Sequence, residues 1–406
     1  MIDRLVSGLA VIGVQRLPVA RKIPRRERMA TDPQVDPMAA TQDVLERCKQ
    51  SGFVLAGIAP VQGSAFVAEL RAWIGAGKHG EMEWLARDAA VREEPARIME
   101  GLGHTQAFIV VADQYASRQD VHGADEKADD LLRGKIARYA RGRNYHDVMK
   151  RRLHALADSL RLAYPGSEFR TCVDTAPILE RELATLAGLG WQAKNTLVIN
   201  PGVGSYVLLG VVATTLPLLA NSERVPDSCG TCTRCIDACP TRAITPYSVD
   251  ATRCVSYLTI ERRTPIEPAL HAGLGQWIFG CDICQEVCPH NTPRPIGSDA
   301  MRTGEVHAAY EADRERDGLW LLDVLGWGEA ERREAFKNSP MKRATLGMMR
   351  RNALVAMGNA IRSMRDEQAR LIEADALRER IEHIAGDERE DPIVRTTAQQ
   401  VLASLG

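Results

Sequence analysis

Apolar positions recur with two different periods between residues 41 and 225, and they predict a mixture of short helices and buried strands. TQDVLERCKQSG, residues 41–52, has the spacing of an amphipathic helix. Three runs rich in β-branched residues predict buried strands: FVLAGIAPV at 53–61, AFIVVA at 107–112 and VLLGVVATTLPL at 207–218. Polar loops such as residues 119–130 separate these segments, so we expect an α/β or α+β domain.

The pattern beyond residue 300 is helical. Within it, RNALVAMGNAI (351–361) and DPIVRTTAQQVLASLG (391–406) resemble the second helices of HEAT-type repeats. Repeats of this kind stack side by side, so the pattern predicts a small helical cap at the C-terminus. An ordinary helical bundle is the alternative, because single repeats are easily imitated.

Two glycine-rich stretches match the loop of dinucleotide-binding proteins, GAGKHG at 75–80 and GLGWQA at 188–193. In such a site the loop lies between a strand and a helix. Here both stretches follow helical patterns, AFVAELRAWI and ILERELATLA. The sequence therefore predicts that these glycines end helices and do not bind a nucleotide.

The composition is that of a globular protein with two or three domains, because 45% of the 406 residues are hydrophobic and 26% are charged. No apolar run approaches the roughly 20 residues that cross a bilayer, so no membrane association is expected. Before the apolar stretch 5–14, the charge of Arg4 is offset by Asp3, and the basic run RKIPRRER (21–28) follows the stretch instead. Arg25 and Arg26 come too late for a twin-arginine signal. We expect a cytoplasmic protein whose residues 1–40 are a disordered extension, or an upstream start with Met29 as the true one.

Cysteines are concentrated in one part of the chain, because eight of the ten fall between residues 229 and 288. Thiols stay reduced in the cytoplasm, so this clustering predicts metal binding or chemistry in preference to disulfides. Cys48 and Cys172 stand alone, and we expect them to be small buried apolar residues.

The clustered cysteines form one complete motif and one incomplete motif. CGTCTRCIDACP, residues 229–240, follows the run of two-cluster ferredoxins, in which the fourth cysteine binds the other cluster. CDICQEVCP, residues 281–289, repeats only the last three cysteines, and Cys254 is the unused candidate nearby. The spacing predicts two 4Fe-4S clusters with four thiolates each. The first takes Cys229, Cys232, Cys235 and Cys288, and the second takes Cys239, Cys254, Cys281 and Cys284.

A pair of four-cysteine zinc sites is the alternative for these thiols. Zinc modules usually pair two C-x2-C units and have no use for a third cysteine or for the cysteine-proline ending, so iron–sulfur clusters are favoured. Two such clusters carry electrons one at a time. A reactive centre that consumes those electrons is therefore expected in one of the flanking segments.

Basic residues are unevenly spread, although the formal net charge of the chain is only -1. Residues 133–152 hold eight Lys or Arg and one Asp, and residues 332–352 hold seven and one Glu. These two positive zones predict binding of a nucleic acid. The alternative is that they are solvated helix faces with no such role. Tyr139 and Tyr145 lie within the first zone, where they are able to pack against a cofactor or stack on a base.

From about residue 41 to the C-terminus the chain resembles the epoxyqueuosine reductases. Five motifs carry the resemblance: RYARGRNYH (138–146), VDTAPILERELA (173–184), AGLGWQAKNTLVINPGVGS (187–205), CGTCTRCIDACPT (229–241) and FGCDICQEVCPHN (279–291). The family often has GWxGKNT where this chain has GWQAKNT. Ala193 is harmless there only if the backbone angle suits alanine.

The resemblance implies an α+β protein of three domains. These are an N-terminal α/β cobalamin-binding domain (41–225), a ferredoxin-like 4Fe-4S domain (226–300) and a C-terminal HEAT-like domain (301–406). The implied reaction reduces epoxyqueuosine to queuosine at the wobble position of tRNA. By the same resemblance, cobalamin removes the epoxide oxygen with electrons that arrive through the two clusters.

The resemblance also implies site residues. Asp174 corresponds to the proton donor of the family, a role that needs a carboxyl with a raised pKa, whereas a helix N-cap formed by Asp174 or Thr175 is the alternative. For His146 a polar contact is expected and not cobalt ligation. The implied cobalamin contacts are Arg92, Arg138, Tyr145, His146, Asp174, Lys194, Asn195, Val198, Ser256 and Asp282.

The implied partners are a tRNA with a queuosine-type anticodon and a low-potential electron donor of the flavodoxin or ferredoxin type, and a monomer is expected. Two other functions stay open at this point. One is a corrinoid iron–sulfur reductase like the reductive dehalogenases, which usually carry a twin-arginine leader and lack a HEAT-like tail. The other is a non-catalytic electron carrier of the ferredoxin type. That function would not explain the VDTAP and AKNTLV motifs.

Overall fold

Eleven short strands and fifteen α-helices make up the described part of the chain. The computed structural model describes residues 35–117, 131–292, 306–313, 316–365 and 371–406. The strands are β1 (Leu55–Ala59), β2 (Ala107–Gln114), β3 (Arg133–Ile136), β4 (Phe169–Cys172), β5 (Trp191–Gln192), β6 (Val198–Ile199), β7 (Val207–Thr214), β8 (Ile244–Thr245), β9 (Ser248–Val249), β10 (Trp277–Phe279) and β11 (Leu319–Trp320). The helices are α1 (Pro37–Gln50), α2 (Val67–Gly75), α3 (Trp84–Arg87), α4 (Ala89–Glu93), α5 (Tyr145–Ala163), α6 (Glu180–Leu186), α7 (Arg234–Asp237), α8 (Val255–Ile260), α9 (Pro268–Leu274), α10 (Ile283–Glu286), α11 (Leu321–Gly326), α12 (Glu329–Ala335), α13 (Leu346–Arg365), α14 (Leu371–Gly386) and α15 (Pro392–Leu405).

The three predicted strands are confirmed as β1, β2 and β7, which with β4 form a sheet in the order β1-β2-β7-β4. Every pairing in this sheet is antiparallel. The fold is therefore α+β, and the expectation of an α/β N-terminal domain was wrong. A parallel sheet needs crossovers that return each strand in the same direction, whereas these connections bring neighbouring strands back in opposite directions.

Helices cover this sheet closely on two sides. Gly57 on β1 lets the chain after α6 approach, because a Cβ there would clash with the Ala187 carbonyl oxygen. Gly210 on β7 lets α5 approach the sheet, because a Cβ added there would lie 3.0 Å from Leu153 Cδ1 of that helix. All eight residues of β2 are buried, as expected for a strand covered on both faces. In the described residues, no helix is both long and apolar enough to span a membrane.

The glycine-rich stretches behave as predicted. GAGKHG begins with the last residue of α2, and Gly77 and Gly80 have φ angles of 68° and 57°. GLGWQA follows α6, and Gly188 has a φ of 74°. Such positive φ angles are typical of helix ends. The isolated thiols are also as expected, since Cys48 is 0% and Cys172 is 2% exposed.

Residues 1–34 of the predicted N-terminal extension lie outside the described residues. Residues 37–40 already belong to α1, so the extension ends earlier than predicted. The helix begins there because Asp36 caps it: Asp36 Oδ1 accepts a hydrogen bond from the Met38 N–H at 3.0 Å. The predicted polar loop at 119–130 and residues 293–300 of the predicted cluster domain also lie outside the described residues.

A three-stranded sheet joins the first basic zone to the cysteine-rich segment. Its order is β10-β3-β11, with β10 parallel and β11 antiparallel to β3. Phe279, which ends β10 just before the second cysteine run, is fully buried and belongs to one hydrophobic core with helices α11 and α13–α15. Residues 36–406 accordingly form one compact unit.

The predicted C-terminal helices are present, although the first is longer than predicted. Residues 351–361 lie within the 20-residue helix α13, and residues 392–405 form α15. Arg351 of α13 is fully buried and donates hydrogen bonds to the carbonyl oxygens of Leu258, Arg262 and Thr264 at 2.6, 2.8 and 2.8 Å. These bonds attach the C-terminal helices to the segment that carries Cys254.

Replacing Arg351 by Met is expected to destabilise the protein by about 3 kcal/mol. The reason is that the carbonyl oxygens of Leu258, Arg262 and Thr264 then lose their donor, and the one at Leu258 is buried. The midpoint of chemical denaturation, followed by circular dichroism under anaerobic conditions, measures the change. Arg333→Met is the control, because Arg333 is exposed and its loss should change stability by about 0.5 kcal/mol or less. Equal midpoints for the two variants would contradict this role of Arg351.

Candidate active site

The eight clustered cysteines lie in two groups of four. Cys288 from the second motif lies beside Cys229, Cys232 and Cys235, close enough for their charges to interact, and the four line one cavity. We call them the first thiol group. The second thiol group is Cys239, Cys254, Cys281 and Cys284, in which Cys254 interacts with Cys239 and Cys284 interacts with Cys281 and Cys254. The membership of each group is the one that the spacing predicts.

The two thiol groups differ in exposure. Around the first, Ser228, Gly230, Thr231 and Arg234 are exposed. The second lies beside buried side chains, and burial raises the pKa of Cys284 well above the usual value for a thiol. A thiol in such a site keeps its proton until a positively charged metal centre displaces it. In the described residues, no three His, Cys, Asp or Glu side chains are placed to hold a single metal ion. A 4Fe-4S cubane does not need such a group, because each of its four thiolates binds a different iron atom.

The AKNT turn, residues 193–196, connects both thiol groups. Lys194 Nζ donates hydrogen bonds to the carbonyl oxygens of Gly230 and Cys232 in the first loop, at 2.7 and 3.0 Å. Asn195 Nδ2 donates to the Cys284 carbonyl oxygen in the second loop at 3.3 Å. The predicted cobalamin contact Lys194 is thus engaged at the first thiol group.

Ala193 fits this turn without strain. The residue with positive φ is Thr196, at 68°, and Ala193 is not among the residues with positive φ. Ala193 is 1% exposed, and its carbonyl oxygen accepts a hydrogen bond from the Thr196 N–H at 2.8 Å. The departure from the family motif at this position is therefore compatible with the local backbone.

A short chain of contacts leads from the second thiol group to Asp174. Asp282, next to Cys281, is 1% exposed, and its Oδ2 accepts a hydrogen bond from the Arg138 backbone N–H at 2.7 Å. The next residue, Tyr139, has its ring centroid 6.3 Å from Phe279 and 5.8 Å from Tyr145. Tyr145 Oη in turn donates to Asp174 Oδ2 at 2.8 Å. The candidate acid therefore adjoins the second thiol group through two aromatic rings.

Asp174 is held by two hydrogen bonds, and these reverse the predicted direction of its pKa shift. Burial raises the pKa of Asp174, but the hydrogen bonds from His146 Nε2, at 2.9 Å, and from Tyr145 Oη together outweigh it and hold the pKa below its usual value. The expectation of a raised pKa was wrong, because a carboxylate that accepts two hydrogen bonds is favoured in its charged form. The alternative as a helix cap is also excluded, since α6 begins at Glu180 with Leu179 before it.

Asp174 interacts with His146, Tyr145, Glu180 and Arg181, and we infer that these side chains line a cleft, which we call the Asp174 cleft. The Asp174 side chain is 59% exposed, yet desolvation is the largest influence on its pKa. Arg181 shows the same combination: it is exposed, while desolvation lowers its pKa. Side chains that are surrounded by protein and still reach solvent are typical of a deep cleft. Arg181 also donates to the Thr196 carbonyl oxygen at 2.7 Å and so joins the cleft to the AKNT turn.

The remaining predicted contacts have different surroundings. Arg92 is 5% exposed, lies 5.6 Å from the centroid of the Trp84 ring and interacts electrostatically with Glu180 of the cleft. Val198 is 4% exposed and packs in the core of the central sheet. Ser256 is half-buried in α8, directly after Cys254 and Val255.

The two basic zones lie side by side, but their surface charge is smaller than the sequence count. Lys342 Nζ lies 3.9 Å from Asp147 Oδ2, and the Asn144 N–H donates to the Asn338 carbonyl oxygen at 2.6 Å. Six cations pair with carboxylates or carbonyl oxygens of the protein itself: Arg138, Arg141, Arg152, Arg332, Arg350 and Arg351. Eight others are exposed: Lys135, Arg143, Lys150, Arg151, Arg333, Lys337, Lys342 and Arg343. Three of these also pair with carboxylates of the protein, Lys337 with Glu334, Lys342 with Asp147 and Arg343 with Glu261.

Two protein-family models match this chain. The family described as a 4Fe-4S double cluster binding domain matches residues 228–291, which contain all eight clustered cysteines. The family described as Epoxyqueuosine reductase QueG, DUF1730, matches residues 92–175, which contain Tyr145, His146 and Asp174. The double-cluster match removes the zinc alternative. A double-cluster iron–sulfur domain beside a cleft lined by ionisable side chains defines the class of the protein as an iron–sulfur oxidoreductase.

Individual relatives narrow this class. The epoxyqueuosine reductase of Xanthomonas campestris is 37% identical over 326 residues, which are 80% of this chain and 88% of that protein. That of Pseudomonas aeruginosa is 36% identical over 331 residues, covering 80% and 87%. A crystal structure of epoxyqueuosine reductase with an epoxyqueuosine-modified tRNA-Tyr stem loop superposes with a TM-score of 0.75 at 25% identity, over 90% of each chain. The chain belongs to the epoxyqueuosine reductase family.

Sequence reasoning missed several residues of the site. Glu180 and Arg181 lie within the VDTAPILERELA motif, but the helical period of this stretch gave no sign that both face a cleft. Thr196 was overlooked because a positive φ at a threonine has no sequence signal. The contacts of Tyr139 with Phe279 and Tyr145 depend on the pairing of β3 with β10, which local patterns do not reveal.

Proposed function

We propose that this chain reduces epoxyqueuosine in tRNA to queuosine, by removing the epoxide oxygen with two electrons and two protons. The observation that carries the proposal is the adjacency of the second thiol group and Asp174, joined through Asp282, Tyr139 and Tyr145. Removal of the epoxide oxygen needs electrons and protons at the same substrate atoms. The second thiol group would supply the electrons and Asp174 the protons. The carrier alternative needs no proton-donating cleft.

In this proposal the two thiol groups hold two 4Fe-4S clusters. Four soft thiolates per cubane are the donor set that such clusters take, and each group has four thiols. The first cluster receives electrons because its loop residues are exposed, and the second passes them to the Asp174 cleft. Lys194 and Asn195 fix the two loops relative to each other, since each donates to a carbonyl oxygen of a different loop.

The Asp174 cleft fits cobalamin, because its walls present polar atoms that need partners. Glu180 Oε1 is buried and has no hydrogen-bond partner in the described part of the chain, and its neutral carboxyl could donate to an acceptor such as the oxygen of a corrin side-chain amide. When bound, cobalamin supplies a strong low-potential reductant for carbon. We propose that the polar groups of Arg92, Arg138, Tyr145 and Asp282 hold it, with Val198 and Ser256 beside them. Asn195 and Lys194 support the neighbouring loops, while His146 acts through Asp174.

The protein side chains then deliver and orient the proton that bonds to the substrate oxygen. Asp174 delivers it, since an alkoxide is a poor species to leave unprotonated near neutral pH. Tyr145 and His146 orient the carboxyl, because both donate hydrogen bonds to Asp174 Oδ2 at 2.8 and 2.9 Å.

The exposed cations of the two basic zones are proposed to bind the tRNA. They come from residues 135–151, which include the first two turns of α5, and from residues 333–343, which precede α13. Arg343 interacts electrostatically with Asp174 and Tyr145 of the cleft. Phosphate contacts there would hold the anticodon arm over the cleft. Helices α13–α15 act as a HEAT-like cap in this proposal. A low-potential flavodoxin or ferredoxin is the proposed electron donor, and a cytoplasmic monomer is the proposed working form.

Anaerobic turnover tests the proposal. The protein, reconstituted with iron, sulfide and cobalamin, is incubated with a low-potential reductant and tRNA that carries epoxyqueuosine, and the nucleosides are then analysed by mass spectrometry. A nucleoside lighter by one oxygen is expected, and omission of cobalamin should abolish it. Unchanged epoxyqueuosine in the complete reaction would reject the activity.

A further inference from the structure

The reaction needs protons that Asp174, as a carboxylate, does not hold. Conversion of an epoxide to an alkene and water breaks both carbon–oxygen bonds and consumes two electrons and two protons. The clusters supply the electrons. Asp174, however, is stabilised as a carboxylate by Tyr145 and His146, so the resting site needs a second group that holds a proton at neutral pH.

Glu180 is the carboxyl in the cleft with the surroundings of a neutral acid. It is the first residue of α6, and its Oε1 is buried with no hydrogen-bond partner among the described residues. An unsolvated carboxylate oxygen is costly, whereas a protonated carboxyl in the same place costs much less. Asp174 lies close enough for its negative charge to oppose ionisation of Glu180.

The groups that face Glu180 come from four other elements and from its own helix. They are Asp174 on the loop after β4, Cys172 on β4, Arg92 on α4, Tyr145 on α5 and Arg181 on α6. The hydrogen bond from the backbone N–H of Glu180 to its own carboxyl favours the charged form, as do Arg181 and Arg92, while burial and Asp174 oppose it. Burial is the largest of these influences and raises the pKa of Glu180 to about 8. Two neighbouring carboxyls whose pKa values are pushed apart are typical of an acid–base pair.

We propose that Glu180 is the proton reservoir of the site and supplies Asp174 with the protons that Asp174 hands to the substrate oxygen. This inference rests on the proposed function. Each proton leaves the Glu180 carboxyl, passes through Asp174 and bonds to the oxygen, and Glu180 regains a proton from solvent. Two such passages deliver the two protons of the water that departs, and both carboxyls end in their starting states.

Glu180→Gln tests the proposal through its kinetics. At pH 7 we expect kcat to fall by roughly 10- to 100-fold, within the range for lost general acid–base assistance, with KM for the RNA and the cluster and cobalamin spectra unchanged. The wild-type rate should decline above a pH of about 8, where Glu180 loses its proton, and this decline should be absent in the variant. Added small weak acids should restore part of the lost rate, and Glu180→Asp should retain more activity than Glu180→Gln.

Glu182→Gln is the matched control on the same helix. Glu182 is 7% exposed, and its Oε1 accepts a hydrogen bond from the Ala65 N–H at 2.7 Å, so it has a fixed partner of its own. Its replacement should leave kcat and the alkaline decline as in the wild type. A Glu180→Gln variant with wild-type kcat and the same alkaline decline would overturn the reservoir.

Infrared difference spectroscopy gives a readout that does not depend on turnover. In the protein loaded with clusters and cobalamin, a protonated-carboxyl band should titrate with a midpoint near pH 8 in the wild type and be missing in Glu180→Gln. Identical spectra for the two proteins would overturn the proposal. Failure of the proposed function shows itself differently, because wild-type protein would then yield no queuosine whatever the infrared result.

Discussion

Replacing Asp174 by Asn is expected to lower kcat by roughly 10²- to 10⁴-fold while both clusters and cobalamin stay bound. Asparagine has nearly the same shape and keeps an oxygen that accepts hydrogen bonds from Tyr145 and His146. It cannot release a proton to the substrate oxygen. Single-turnover measurement of queuosine formation, with the cluster and cobalamin spectra recorded on the same sample, separates lost chemistry from lost cofactor.

Asp147→Asn is the control for this substitution. Asp147 lies in the first turn of α5, is exposed and accepts a hydrogen bond from Asn144 Nδ2 at 2.7 Å, so it is a carboxylate near the cleft with a structural partner. Its replacement should leave kcat within about twofold of the wild type, as expected for a surface change. If Asp174→Asn turned over as fast as this control, Asp174 would not be the donor.

Replacing Cys288 by Ser is expected to remove the first cluster and spare the second. Cys288 belongs to the second sequence motif, but it lies beside Cys229, Cys232 and Cys235. The iron content should fall by about half. Electron transfer from an external donor should stop, because the first cluster, which is proposed to receive those electrons, is lost. Cys48→Ala is the control, since Cys48 is buried in α1, away from the clustered cysteines.

Double substitutions show to which cluster Cys288 belongs. Cys288→Ser combined with Cys229→Ser should lose no more iron than either change alone, because both thiols hold the same cluster. Cys288→Ser combined with Cys284→Ser should lose both clusters. The reverse pattern would mean that each sequence motif holds its own cluster and that the crossed assignment is wrong.

The parts of the account that sequence could predict rest on local spacing. The membership of the two thiol groups follows from cysteine intervals, and β1, β2 and β7 follow from runs of β-branched residues. The antiparallel order of the sheet was not predictable, because the same strand patterns are compatible with either direction. HEAT-type repeats remain a prediction for the C-terminal helices.

The electrostatics of the site could not be predicted because they depend on residues distant in sequence. Asp174 has a lowered pKa owing to His146 and Tyr145, which lie 28 and 29 positions earlier in the chain. The charge of the basic zones was overstated for a similar reason. Arg351, counted as a surface cation, is fully buried against carbonyl oxygens of residues 258–264.

Quantitative analysis of iron, inorganic sulfide and zinc in the anaerobically purified protein decides whether two iron–sulfur cubanes stand between an external electron donor and the Asp174 cleft. We expect one iron and one sulfide for each of the eight clustered cysteines, with negligible zinc. Two zinc ions per chain without sulfide would contradict it, because the cleft would then have no source of electrons.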